Sequence, residues 1–363
     1  MAIFEKFSSR NFDWPLAAVA FLLAAVGLTA IYSVDLSRGE ALVYFEKQVV
    51  VLGFGLFLFF AASAVQYTFF RNYAKWWYFL SVILLIAVLI FGSRIRGTTG
   101  WFSFGGFSFQ PAEFAKVGLI LMLAYIAAGF GRRFDRPLFF LGTAAVTLIQ
   151  VVLILFQPDL GSAVLIGAIW FGLMCLLGVK KRRLLTAVGV VLVVGVMAWI
   201  FFLQGYQKER LLNFVDPGRD PLGSGYNVIQ SVIAVGSGQW YGRGLGFGSQ
   251  SQLRFLPETQ TDFVFSVIGE ELGLGGVILL LGLYALLFWR LFLVLKNANH
   301  DFVAVVAGGT IILFFVQIFV NIGSSVGLLP VTGVTLPFVS YGGSSMAVNF
   351  LLLGIAESLR RKR

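Results

Sequence analysis

Long apolar runs recur along this 363-residue chain, separated by short polar segments. Ten runs read as spans: residues 14–34, 48–66, 76–92, 113–130, 138–156, 161–178, 184–203, 264–295, 302–322 and 341–358. A helix of about 20 apolar residues crosses a bilayer core. The runs are continuous rather than alternating, which excludes a membrane β-barrel. Backbone groups in lipid must be paired within the segment, so the spans are predicted as α-helices. The predicted fold is an all-α polytopic membrane protein, one domain over residues 1–363. No cleavable signal is evident, and Phe12 to Ile31 reads as the first span.

Three segments break the pattern. Residues 96–116, RGTTGWFSFGGFSFQPAEFAK, begin too polar and glycine-rich to span and are expected in the membrane interface. The largest polar segment covers about residues 204–263, between the seventh and eighth spans. Asn321 to Ser345 is rich in small residues and carries two prolines. Such a broken passage is tolerated only where it lines a cavity or packs within protein.

Composition agrees with a membrane protein. Hydrophobic residues make up 58% and charged residues 12% of the chain, whereas soluble domains carry about 25% charge. The net charge of +10 would suit nucleic acid, but the basic residues sit in short clusters between apolar runs. That is the signature of membrane orientation. With the N-terminus inside, inner segments hold 17 of the 27 Lys and Arg, among them Lys6, Arg10, Lys180 to Arg183 and the C-terminal tail. Outer segments hold nine, among them Arg38, Lys47, Arg94, Arg96, Lys208 and Arg219. The orientation predicted is N-in and C-in, with the 204–263 loop outside.

This arrangement excludes several functions. The inner connections are too short to fold a nucleotide-binding domain, and no GxxxxGK[ST] loop is present. One His, His300, leaves no His-rich metal cluster. One Cys, Cys175, leaves no disulfide framework. Chemistry is expected at the outer face, on a substrate already there.

The candidate residues cluster at the ends of spans. Asp262 stands at the mouth of the eighth span in RFLPETQTDFVFSVIGEE. A carboxylate there suits a general base, or caps the helix beginning at Phe263, with Thr261 as a competing cap and Glu258 a turn away. Glu113 and Lys116 have i, i+3 spacing at the start of the fourth span, either as functional charges or as a pair locking two spans. Trp101, Gln110 and Pro111 precede them. Asp159 caps a helix in QPDLG or lines a cavity shared with Asp262. Arg210, Arg243 and Arg254 form a cationic set fit for phosphate, or a rim near lipid headgroups. Glu270 and Glu271, two turns into the eighth span, call for a protein-facing site with a cationic partner. One base and several cations do not make a glycosidase, which needs two carboxylates. They do suit a sugar leaving from diphosphate, which needs no acid.

These residues fall in RFLPETQTDFVFSVIGEELG, FQPAEFAK, QPDLGSA, ERLLNFVDPGRDPLGSGYNVIQS and LLPVTGVTLPFVSYGGSS. In that set the chain resembles the SEDS (shape, elongation, division and sporulation) family, nearer its elongation branch than its division branch. The resemblance runs from the third span or earlier to the C-terminus. It implies ten spans and a peptidoglycan glycosyltransferase that polymerises lipid II on the outer face of a bacterial plasma membrane. By resemblance Asp262 is the base. Glu113 and Lys116 by the same resemblance line or support the cavity; Trp101, Asp159, Arg210, Arg243, Arg254, Glu258, Ser340 and Ser344 are the further candidates for binding substrate. Arg side chains or a divalent cation, Mg or Mn, would aid the leaving diphosphate. A class B penicillin-binding protein is the implied partner. The chain departs from the family at Gly100, where many members have a basic residue, in GSGQWYGRG, and at Gln260, often a His. Two other readings fit broken spans and buried charges: a flippase for lipid-linked precursors, and a non-enzymatic scaffold.

Overall fold

The computed structural model describes residues 12–37, 42–95, 98–105, 107–201, 205–216, 224–253 and 255–360. Lys6, Arg10, Arg38, Arg96, Arg219, Arg254 and the last three residues lie outside them. Ten described helices have 17 residues or more, and each falls on one predicted span. They are α1 (Trp14–Ser37), α2 (Val43–Ala64), α4 (Ala74–Phe91), α5 (Pro111–Phe130), α6 (Pro137–Leu155), α7 (Leu160–Leu176), α8 (Lys181–Phe201), α12 (Val264–Lys296), α13 (Asp301–Ser325) and α14 (Gly343–Arg360). A short α3 (Tyr67–Asn72) links α2 to α4. Eight of the ten are long and apolar enough to cross a membrane by length and composition; α7 is shorter and α14 more polar. Burial explains α14. Almost all of it is enclosed by protein, so Ser344, Ser345, Asn349 and Glu357 never meet lipid.

α5 and α13 are the most enclosed of the apolar helices. α5 packs on α4 and α13, α13 on α7 and α12, α14 on α2, and α1 on α12 and α2. α8 stands at the edge against α7. One end of the bundle is tied by charge. Asp13 pairs with Arg290 at 2.6 Å, Arg360 pairs with Glu357 at 3.3 Å, and Glu357 accepts the Asp13 backbone N–H. These contacts join the start of α1 to the ends of α12 and α14.

The opposite end holds the irregular segments. The glycine-rich stretch before α5 folds as a small antiparallel sheet, β1 (Ser93–Ile95), β2 (Thr98–Phe104) and β3 (Phe107–Phe109), in order β1-β2-β3. Its Thr, Trp and Phe residues favour paired strands once the backbone leaves lipid. The loop after α8 contains α9 (Gly205–Val215), α10 (Ser224–Ser237) and α11 (Ser249–Gln252). α10 packs on α12, and its Ser231 hydroxyl meets the Ser266 hydroxyl at 2.6 Å and donates to the Ser325 carbonyl.

α12 is broken at Gly273, where φ is 62° and ψ is −161°. The break frees backbone groups from the α12 ladder. Residues 238–244 pair them. Arg243 N–H donates to the Glu270 carbonyl and Gly244 N–H to that of Glu271, both at 2.9 Å. Leu274 and Gly275 N–H donate to the Gln239 and Trp240 carbonyls. Residues 274–296 alone give about 34 Å of helix, enough for a bilayer core of about 30 Å. The first half runs differently. Gln260 and Glu271 are held by Asp35 and Ser33, two residues apart near the end of α1. Residues 264–272 therefore lie across the end of α1 and not along its flank. Glu270 and Glu271 sit beside the break, at one end of the bundle rather than deep in a span. A Cβ on Gly273 would run into the Gly242 amide nitrogen, and its φ is strained for any side chain. Gly273→Ala should cost at least about 1–2 kcal/mol. Thermal unfolding in detergent should register it as a midpoint several degrees below that of the parent; an unchanged midpoint would contradict the break.

Candidate active site

A cavity of about 260 Å³ opens at the end of the bundle opposite the Asp13 cluster. Its wall comes from the ends of many elements. α2 contributes Lys47, β2 Thr98 and Trp101, the start of α5 Gln110 and Glu113, and the start of α7 Asp159 and Ser162. Thr261 and Asp262 precede α12, and Thr332 to Thr335 and Tyr341 to Ser345 complete the wall.

Asp262 is half-buried and lies in a tight turn, its N–H donating to the Glu258 carbonyl at 3.2 Å. It does not cap α12. The cap position is Phe263, with no side-chain hydrogen bond. Four contacts fix its segment. Gln260 Nε2 donates to Asp35 Oδ1 at 2.6 Å, and the Tyr341 N–H to the Gln260 carbonyl at 2.8 Å. Ser340 Oγ donates to the Thr261 carbonyl at 2.6 Å, and Asn321 Nδ2 to the Asp262 carbonyl at 3.0 Å. Gly333 faces Asp262 with φ of 74°, and a Cβ there would lie 3.9 Å from Asp262 Oδ2. The left-handed backbone favours glycine there, and a Cβ would only touch the carboxylate at ordinary contact distance.

Asp159 takes both expected roles. It caps α7 through Ser162 N–H at 2.9 Å and lines the cavity, with Ser162 Oγ and Gln110 Nε2 donating to Oδ2. Glu113 and Lys116 form a buried ion pair at 2.7 Å, and Glu113 reaches the wall. Ser344 Oγ accepts the Gln110 N–H and donates to the Ser108 carbonyl, joining α14 to β3 at the wall. Burial, then Tyr44 and Asp35 nearby, push the Tyr341 phenol above its ordinary value. It is a protonated donor at neutral pH.

Other expected site residues lie off the wall. Ser340 is buried beneath it, occupied by Thr261 and by the Leu336 N–H. Glu258 is exposed, with φ of 53°, and its carboxylate accepts from Thr261 Oγ1. Arg243 is exposed, its guanidinium donating to the Ser237 carbonyl while its backbone serves the α12 break. Arg254 and the side chain of Arg210, whose backbone is in α9, lie outside the described residues. Glu270 and Glu271 differ from expectation. Their partners among the described residues are neutral: the Gln250 and Ser251 N–H groups for Glu270, and Ser33 Oγ, Gln252 Nε2 and Gly246 N–H for Glu271. Backbone amides from a glycine-rich loop replace the cation. Lys47, counted in the sequence only toward orientation, is the cation lining the cavity among the described residues. Nothing local in its stretch marks it, because the cavity assembles from distant segments.

The described residues offer no group of three or more acidic, His or Cys side chains able to hold a metal. Of the cavity carboxylates, Glu113 is paired with Lys116 and Asp159 is filled by three donors. They do not make a resident metal site.

Fold and cavity define a multi-pass α-helical membrane protein whose polar chemistry is gathered at one end of the bundle. The chain belongs to the FtsW/RodA/SpoVE cell cycle protein family, whose model matches residues 13–363. It is 38% identical to the peptidoglycan glycosyltransferase MrdB of Escherichia coli K12 over 329 residues, 90% of this chain and 88% of that one. It is 36% identical to the probable peptidoglycan glycosyltransferase FtsW of Thiomicrospira cyclica over 369 residues, 98% and 93% of the two. The fold matches a chain of a peptidoglycan synthase complex that coordinates polymerization and crosslinking, with a TM-score of 0.80, 36% identity and coverage of 96% and 97%. It also matches crystalline RodA, the rod shape determining protein of Thermus thermophilus, with a TM-score of 0.72, 31% identity and 96% of each chain.

Removing one partner of the Glu113–Lys116 pair strands the other charge in a buried site. Glu113→Gln or Lys116→Met should each cost about 3–5 kcal/mol. The double variant leaves no stranded charge and should be the more stable of the three by thermal unfolding. Equal stability across the three would mean that solvent reaches the pair.

Proposed function

We propose that this protein is a peptidoglycan glycosyltransferase that polymerises lipid II at the outer face of the bacterial plasma membrane, with Asp262 as general base. The observation that carries the reading is the siting of Asp262: half-buried on a cavity wall built from span ends, on a turn tied to three other elements. The names of the relatives support the activity. The excess of Lys and Arg at the Asp13 end supports N-in, C-in, ten spans and an outward cavity.

Asp262 takes the proton of the acceptor GlcNAc 4-hydroxyl. The freed oxygen attacks the anomeric carbon of the donor MurNAc, forming the β-1,4 bond with inversion. The bond from that carbon to diphosphate breaks, and undecaprenyl diphosphate carries the electron pair away. No acid is needed, because diphosphate leaves as an anion. Lys47 faces the charge that develops on it, as a compact cation on the wall. Trp101, Gln110, Asp159 and Ser344 bind sugar hydroxyls and amides. A divalent cation would arrive with the diphosphate, since Mg²⁺ is commonly held by phosphate and few protein ligands. The partner is a class B penicillin-binding protein, which crosslinks the strands.

A transporter holds its key charges near the membrane midplane. Asp262 lies at the bundle end, which favours chemistry over flipping. Asp262→Asn should fold with the parent's melting point yet lose lipid II polymerisation in liposomes, by about 10²–10⁴-fold. The assay includes the transpeptidase partner, and glycan chains of normal yield from this variant would end the assignment.

A further inference from the structure

Three consecutive residues carry the candidate base, and each is anchored elsewhere. The anchors of Thr261 and Asp262, Ser340 and Asn321, are bound up with one passage. Ser340 belongs to it, and Asn321 Nδ2 also donates to the Val334 carbonyl. Gln48 of α2 holds the Ser340 passage by donating to the Ser340 carbonyl and accepting the Gly342 N–H, while the Gln260 side chain reaches α1. Its amide donates to Asp35 Oδ1, while Asp35 Oδ2 accepts the Tyr44 and Phe45 N–H groups at 3.0 and 2.9 Å. Those amides open α2, and Lys47 follows within the same turn. Asp35 is 2% exposed, so its bonds are shielded from water. α2 has no side-chain cap of its own at Leu42; a carboxylate from α1 supplies it.

We infer that Asp35 is a positioning residue for the transferase reaction: through Gln260 on one oxygen and the first turn of α2 on the other, it sets the placement of Asp262 relative to Lys47. This rests on the reading of Asp262 as the base. A cap for α2 would need only Oδ2. The short bond from Oδ1 to Gln260 is the part that reaches the site.

The donor and acceptor of this bond can be exchanged. Asp35→Asn combined with Gln260→Glu puts the amide on α1 and the carboxylate beside the base. The amide oxygen keeps the two α2 N–H groups, and the amide nitrogen donates to the new carboxylate. Gln260→Glu alone sets two carboxylates against each other. The titratable groups around them are Tyr44 on α2, Tyr341 on the passage before α14, and Asp262 itself. Polymerisation of lipid II is measured with the partner transpeptidase from pH 5 to 8, each variant relative to the parent protein at the same pH, with kcat separated from KM.

Gln260→Glu should lose about tenfold or more in kcat at pH 8, the scale of a small misplacement of a catalytic group. It should recover relative to the parent as pH falls and one proton joins the carboxylate pair. The exchanged double variant should restore kcat and lose the acid recovery. Gln260→Ala, which adds no charge and should fold, should lose kcat at every pH with KM little changed. Parental kcat in Gln260→Ala, or a double variant no better than Gln260→Glu, would overturn the inference. Asp262→Asn runs beside them. If it polymerises normally the base reading fails; if it is inactive while Gln260→Ala is parental, only the positioning role fails.

Discussion

Backbone groups that leave a helix inside an apolar bundle must find partners, and in this protein that constraint shapes the site. At Gly273 the α12 ladder opens. Residues 238–244 close it, donating from Arg243 and Gly244 and accepting at Gln239 and Trp240. Unpaired, each such group would cost on the order of several kcal/mol in hydrocarbon. The glycine-rich segment therefore completes the broken ladder at the end of the span while its side chains stay largely exposed. Once it is pinned there, residues 246–252 are brought onto Ser33, Glu270 and Glu271. Only a short stretch then remains to reach Asp262.

The break also decides where that aspartate sits. A straight helix from Val264 would stand about 50 Å long, well beyond a bilayer core of about 30 Å. Folding its first nine residues across the end of α1 keeps Asp262 level with the starts of α5, α7 and α14. Those starts bring their own polar residues: Gln110 and Glu113, Asp159 and Ser162, Ser344 and Ser345. Helix beginnings expose unpaired N–H groups and attract such residues. A cavity enclosed by several of them is polar by construction, within a bundle whose sides are apolar.

Much of this was legible in the chain. Apolar runs located the ten long helices, because period and length are local signals. Asp159 was readable both as a cap and as a wall residue, since QPDLG breaks one helix and starts another. The sheet before α5 and the helices within the 204–263 segment were not, since short elements depend on what covers them. Lys47 was missed and Ser340 and Arg243 fell off the wall for one reason. Whether a side chain faces a cavity is set by segments far away in the chain, such as the Ser340 to Thr261 bond. The break at Gly273 had a signal, a glycine in an apolar run after two glutamates, but glycine is common enough in spans to pass unremarked.

The two glutamates carry the last step. Sequence logic gives a buried carboxylate a cationic partner, yet backbone and amide N–H groups hold both here. Several hydrogen bonds to one carboxylate can replace a countercharge. Cations are thereby left uncommitted at this end of the bundle. Arg243 stays exposed on Ser237, and Lys116 is neutralised by Glu113. Among the described cavity residues the positive charge is then that of Lys47, which lines the same cavity as Asp262. A lysine is a compact point charge on a flexible stem, which tolerates a bulky diphosphate in more than one pose. Around the proposed base, by contrast, three successive residues are each held to another element by a hydrogen bond of 2.6 to 3.0 Å.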